Sequence, residues 1–222
     1  MRLENFATNE HYHVFGRGAK KEKIFIDDKD RARFIFLITH FQSPTKIYNI
    51  SWYTESFIKN GSFSTKKDKV AEILKKRSVK LVAFVLMSNH FHLLIQNMED
   101  AVLSVYMHRI LTAYGKYFNA KYNKKGHVFE GPFKAVHTKN NTQLLHLSAY
   151  IHKNPKELSD WKDTYDKYPY SSYQDYIGSN RWGNFLSPEI ILKQFTDQSK
   201  YKDFVTESLA KENLDNFQNK VL

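Results

Sequence analysis

The chain has 222 residues, 34 Lys+Arg against 23 Asp+Glu, a formal net charge of +11 and no cysteine. Disulfide scaffolds, thiolate metal sites and cysteine nucleophiles are thereby excluded. The longest strongly apolar run, residues 81–87, is far short of the roughly 20 residues needed to cross a bilayer.

Residues 11–15 combine aromatic and β-branched side chains up to the turn signal Gly16-Arg17-Gly18 and read as a strand. Asp27-Asp28 starts a helix with apolar positions at Phe34, Phe36, Leu37, Ile38 and Phe41, stopped by Ser43-Pro44. Residues 47–53 read as a short strand, and residues 66–77 as a helix with Val70, Ile73 and Leu74 on its apolar side. Residues 79–87 form a continuous apolar run of central-strand length, turned by Ser88-Asn89 into a second strand over residues 90–96. The longest helical pattern, residues 100–122, ends at Lys124-Lys125-Gly126. A strand over residues 133–138 follows, then a helix over residues 140–154 capped by Asn140, Asn141 or Thr142 and stopped by Pro155.

This order predicts an α+β ferredoxin-like (RRM-like) sandwich, an antiparallel sheet with helices on one face. A catalytic domain over residues 1–178 is expected, with residues 43–78 as an insertion or extension. Residues 179–222 are expected to form a helical C-terminal appendage, with one or two helices over residues 193–222. Residues 1–10 are polar and lack a signal-peptide core, so a cytoplasmic protein that binds no membrane is expected.

The positive excess is concentrated. Residues 59–80 hold eight Lys/Arg against Asp68 and Glu72, and residues 107–139 hold seven against Glu130 alone. The second stretch also carries Tyr114, Tyr117, Phe118, Tyr122, Phe129 and Phe133. Cations neutralise phosphates and aromatic faces stack on unpaired bases. A solvated lysine face over a helix core accounts for the same pattern.

His90-Phe91-His92 is the sharpest local feature. Strand side chains alternate faces, so the two imidazoles project together while Phe91 faces the other way. Such a pair can grip one divalent ion, but it does not complete a site, and zinc is weakly supported without a third histidine or a cysteine. On the helix over residues 140–154, Tyr150 and Asn154 are four apart on one face, with His146 a turn earlier on the same stripe. A tyrosyl oxygen can be a nucleophile and an amide oxygen a hard-metal ligand. A buried, satisfied tyrosine and a helix C-cap are the alternative reading, and spacing does not separate the two.

Four motifs, spanning residues 11–178, together resemble a known family. They are Tyr12-His13-Val14-Phe15-Gly16-Arg17-Gly18 followed by Lys21-Glu22-Lys23-Ile24-Phe25; Met87-Ser88-Asn89-His90-Phe91-His92-Leu93-Leu94; Gly126-His127-Val128-Phe129-Glu130-Gly131-Pro132-Phe133-Lys134; and Tyr150-Ile151-His152-Lys153-Asn154-Pro155 with Tyr168-Pro169-Tyr170-Ser171-Ser172-Tyr173 after it. The chain resembles the REP-associated tyrosine transposases, single-strand transposases of the His-hydrophobe-His superfamily. The resemblance implies a divalent metal ion, Mg²⁺ or Mn²⁺, on His90, His92 and Asn154, and Tyr150 as nucleophile. It implies cleavage and rejoining of hairpin-containing single-stranded DNA through a 5′-phosphotyrosine, by a monomer or homodimer. His146 is the candidate base, and Arg17, Lys116, Lys121, Lys124, Lys125 and Lys134 are the candidate DNA contacts. Two positions depart from the family pattern, which has Asn at Gly16 and Arg at Pro132. The alternatives are a domesticated hairpin DNA- or RNA-binding protein that does not cut, and a metal-dependent nuclease that uses water.

Overall fold

The computed structural model describes residues 6–209. Four strands build the sheet: β1 (His11–Arg17), β2 (Val79–Leu86), β3 (His90–Asn97) and β4 (Lys134–His137). Their order is β2-β3-β1-β4 with every neighbouring pair antiparallel. That is the ferredoxin-like arrangement expected from the order of elements.

Alternation along β3 decides what each face of the sheet meets. Phe91 packs on Phe34 of α1 (Asp28–His40), with ring centroids 4.9 Å apart. Tyr114 of α4 (Val102–Tyr122) closes on the same Phe34 at 5.1 Å. His92 faces the opposite side, where Tyr150 of α5 (Asn141–Lys153) meets it at 5.3 Å. The helices α1 and α4 therefore cover one face, and α5 packs on the other.

α1 begins with a reciprocal cap: Asp27 accepts from the Asp30 backbone N–H and Asp30 accepts from that of Asp27. Asp30 is fully buried and also accepts from Tyr117, Tyr122 and Lys121 of α4, which ties the two helices together. α5 opens on an Asn140 cap that accepts from the Gln143 backbone N–H at 2.9 Å.

Residues 47–53 do not form the expected strand. Asn49 instead leads into α2 (Ile50–Asn60), which ends at left-handed Gly61. Its Ile50, Tyr53 and Phe57 are spaced for a helix face, and Tyr53 and Phe57 stack on Phe36 and Phe63. Ile, Tyr and Trp favour strands locally, but burial of this stripe against α1 overrides that preference. The expected helix over residues 66–77 is present as α3 (Lys67–Lys75).

After α5 the chain runs along the open edge of β2. The Leu86 backbone N–H donates to the Tyr170 carbonyl, that of Ser172 to the Phe84 carbonyl, and that of Ser187 to the Leu81 carbonyl. This covers backbone that would otherwise template aggregation. Three short helices complete the described chain: α6 (Tyr173–Ile177), α7 (Glu189–Leu192) and α8 (Gln198–Glu207). α8 packs on α5 through fully buried Tyr201, whose hydroxyl lies 2.7 Å from His152 Nδ1. The rest of the expected C-terminal helix, residues 210–222, lies outside the described residues. None of the described helices is long and apolar enough to cross a membrane.

Candidate active site

Sheet register assembles one wall of a cleft. Arg17 stands opposite His90, and Phe15 stands between His92 on one side and Lys134 on the other. Directly paired residues share a face, so β1, β3 and β4 present Arg17, Phe15, His90, His92 and Lys134 together. Tyr150 and Asn154 come from the end of α5, and Glu130, Gly131 and Pro132 from the loop before β4. These residues and Glu157 line a cleft of roughly 460 Å³.

Gly16, on the opposite face of β1, is where the chain departs from the family pattern. A Cβ there would lie 2.9 Å from the Phe91 ring. The glycine gives Phe91 room between His90 and His92, so the departure serves packing beneath the histidine pair.

Each cleft histidine has its Nδ1 tied down. His90 Nδ1 lies 2.7 Å from Asn89 Oδ1, and the Asn89 amide is oriented by donating to the Lys21 carbonyl at 3.1 Å. An amide oxygen only accepts, so His90 carries its proton on Nδ1 and Nε2 keeps its lone pair. His92 Nδ1 lies 2.9 Å from His13 Nε2. Burial lowers the pKa of His90, with Arg17 pushing the same way and Glu157 and a hydrogen bond with Asn154 opposing. Burial holds His92 well below the usual imidazole range, and the neighbouring His13, His90 and Arg17 push the same way. His13 is lowered to about 3 by burial alone. All three rings are neutral at pH 7, the form in which imidazole binds a metal.

The amide of Asn154 donates Nδ2–H to the Tyr150 carbonyl at 2.8 Å, leaving Oδ1 as its acceptor. Two neutral imidazoles and an amide oxygen are donors that fit a divalent ion, with oxygens of water or substrate completing the shell. Among the described residues no three of His, Cys, Asp and Glu come together around one point, so the protein itself contributes an incomplete set. Tyr150 is 6% exposed. Its ring stands edge-on to both His92 (81° at 5.3 Å) and His13 (78° at 5.9 Å).

Other expected site residues lie elsewhere. His146 Nδ1 is 3.2 Å from Ser208 Oγ, and its ring meets Phe204 of α8, so it faces the C-terminal helix rather than the cleft. Lys121 is committed to Asp27 and Asp30, at 2.7 Å from each. Burial works against its charge, but the bonds to the two carboxylates outweigh that and raise its pKa. Lys124 pairs with Glu22 at 3.0 Å. Lys116 and Lys125 are exposed on α4 and just beyond it. Only Arg17 and Lys134 of the six expected DNA contacts line the cleft, with Glu130 and Glu157 as its acids. Pro132, where the family pattern has Arg, lines it too and brings no charge.

Sequence reading gave no role to His13 or Asn89. The strand period was the available signal for His13, because it shares the face of Phe15 and Arg17. Its contact with His92, 79 residues away, has no local signature.

The family described as "Transposase IS200 like" matches residues 39–154, and the chain belongs to it. The match leaves out β1, which supplies His13, Phe15 and Arg17. A solved structure described as "Structure of the REP associates tyrosine transposase bound to a REP hairpin" shares the fold with a TM-score of 0.53. The likeness covers 86% of this chain and 92% of that one at 12% sequence identity. No curated protein matches the chain.

Proposed function

We infer that this transposase is a metal-dependent single-strand DNA endonuclease and strand-transferase that acts on hairpin-containing DNA through a 5′-phosphotyrosine. The observation that carries this reading is the meeting of Tyr150 with His92, His90 and Asn154 in one cleft on one face of the sheet. A ferredoxin-like binding module has no need of a tyrosine edge-on to a neutral histidine pair.

The Tyr150 oxygen attacks phosphorus as the bond between phosphorus and the 3′-oxygen breaks; the phenolic proton ends on the departing oxygen, giving a 5′-phosphotyrosine and a 3′-hydroxyl. The phosphodiester bond energy stays in the adduct, so a 3′-hydroxyl from another strand reverses the step and joins the ends. His90, His92 and Asn154 would hold a divalent ion, which would supply Lewis acidity and positive charge toward the phosphate. Asn154 links the two functions, because its amide holds the Tyr150 carbonyl while its side chain also bonds His90 in the same cleft. Arg17 and Lys134 flank the reacting phosphate from β1 and β4 and bind the backbone of the strand. The chain works in the cytoplasm as a monomer or homodimer, with residues 1–178 as the catalytic unit and residues 179–222 as its appendage.

The test is labelled hairpin DNA with single-stranded flanks, incubated with Mn²⁺ and resolved on a denaturing gel. A protein–DNA band that disappears in Tyr150→Phe is expected. Cleavage that survives Tyr150→Phe identifies a nuclease that uses water, and binding without cleavage identifies a non-cutting hairpin-binding protein.

A further inference from the structure

We propose that His13 is a positioning residue: it accepts the Nδ1 proton of His92 and so turns a lone pair on His92 Nε2 into the cleft. The proposal rests on the metal-site reading given above and extends it to a residue on β1.

His13 Nε2 and His92 Nδ1 are 2.9 Å apart, a distance that requires one proton between them. Both rings are almost wholly buried, so the neutral pair has two arrangements. If His13 donates, His92 must carry its proton on Nε2 and presents an N–H to the cleft. If His92 donates, Nε2 presents a lone pair. The neighbouring His90 is already fixed in the second form by Asn89, whose oxygen can only accept. Two lone pairs on one sheet face make a ligand pair, whereas one lone pair beside one N–H does not.

Packing makes His13 suited to this role. Its ring lies beside that of His92, nearly coplanar, with centroids 5.1 Å apart and 24° between planes; it lies 4.8 Å from Phe15 and meets the Tyr150 ring edge-on. These contacts fix the plane of the ring, so its Nε2 is held on the line of the His92 N–H. Partners of this kind on metal-binding histidines set tautomer and orientation, and their loss weakens metal affinity by roughly 10- to 100-fold.

The direct test is two-dimensional ¹⁵N–¹H NMR of the histidine side chains in the metal-free protein, with Mn²⁺ affinity by calorimetry as a second readout. The expected spectrum has His92 protonated on Nδ1. His13→Leu should shift the His92 tautomer and weaken Mn²⁺ by roughly 10- to 100-fold. His13→Gln keeps an acceptor oxygen and should recover most of the affinity. A wild-type His92 protonated on Nε2 overturns the proposal, as does a His13→Leu protein with unchanged tautomer and affinity. The wild-type spectrum needs no variant to fold. A wild-type protein that shows the expected tautomer but binds no Mn²⁺ would sink the metal-site reading and leave the tautomer assignment standing.

Discussion

His152 of α5 and His92 of β3, which meets Tyr150 of the same helix, are both buried imidazoles that burial keeps neutral. His152 spends both nitrogens inside the protein, Nδ1 on the Tyr201 hydroxyl at 2.7 Å and Nε2 on the Ser172 hydroxyl at 2.9 Å. His40, between Thr39 and Thr65, does the same. His92 spends one nitrogen on His13 and brings the other to a cleft. Depth and a lowered pKa are thus common to the structural and the functional histidines. What separates them is whether a nitrogen is left over once the interior has been satisfied.

That contrast breaks most plainly under substitution. His92→Ala should lower Mn²⁺ affinity by about 100-fold or more while changing unfolding free energy by less than about 2 kcal/mol, read by calorimetry and by urea denaturation. His152→Leu should behave in the reverse way. It removes one partner from each of two buried hydroxyls, which keep their bonds to Ser148 and to the Phe84 backbone, and it leaves a cavity-lining change in a packed site. About 1–3 kcal/mol of stability should be lost, with Mn²⁺ affinity held within about twofold. If both variants lose metal and stability together, the two histidines are not separable and the contrast fails.

Acid sharpens the same comparison. Burial lowers His152 to about 3, and it lowers His40 to about 3 against the rise from its bond to the Phe36 carbonyl. An unfolded histidine titrates near 6.5, so the unfolded state binds more protons between pH 6.5 and about 3. Stability is full above pH 6.5 and falls as the pH drops, by about 1.4 kcal/mol per unit for each such histidine. The measurement is urea denaturation at pH 7, 6 and 5. His152→Leu should show the shallower decline, because one of the buried rings that must charge on unfolding is gone.

The smallest effect concerns the floor beneath the pair. Gly16→Ala places a methyl group 2.9 Å from the Phe91 ring. Phe91 is fully buried against Phe34 and Phe129, so its ring must shift within the core, and a loss of about 1–2 kcal/mol is expected in thermal or urea unfolding. An unchanged stability would mean that Phe91 does not need the space that glycine leaves.

The legible parts of the sequence were those governed by local periodicity. Period two put His90 and His92 on one face, and helical spacing put Tyr150 and Asn154 on another, before any tertiary information was used. The order of elements was enough for the ferredoxin-like sheet. The same spacing rule misplaced His146, because a helical wheel does not reveal where the cleft stops and α8 begins. Lys121 looked like a free cation because its partners, Asp27 and Asp30, are more than 90 residues away. Residues 47–53 looked like a strand because their side chains favour one, and only burial against α1 makes them a helix. His13 acquires its meaning from sheet register with β3, which no window of sequence contains.

The central claim is that Tyr150 is the atom source of the covalent bond to DNA. Peptide mapping of the adduct by mass spectrometry tests it most directly, after Mn²⁺-supported reaction with hairpin DNA and digestion of protein and DNA. The account predicts a nucleotide phosphate on the peptide containing Tyr150 and on no other. A nucleotide on a different tyrosine, or cleaved DNA with no modified peptide at all, would contradict it.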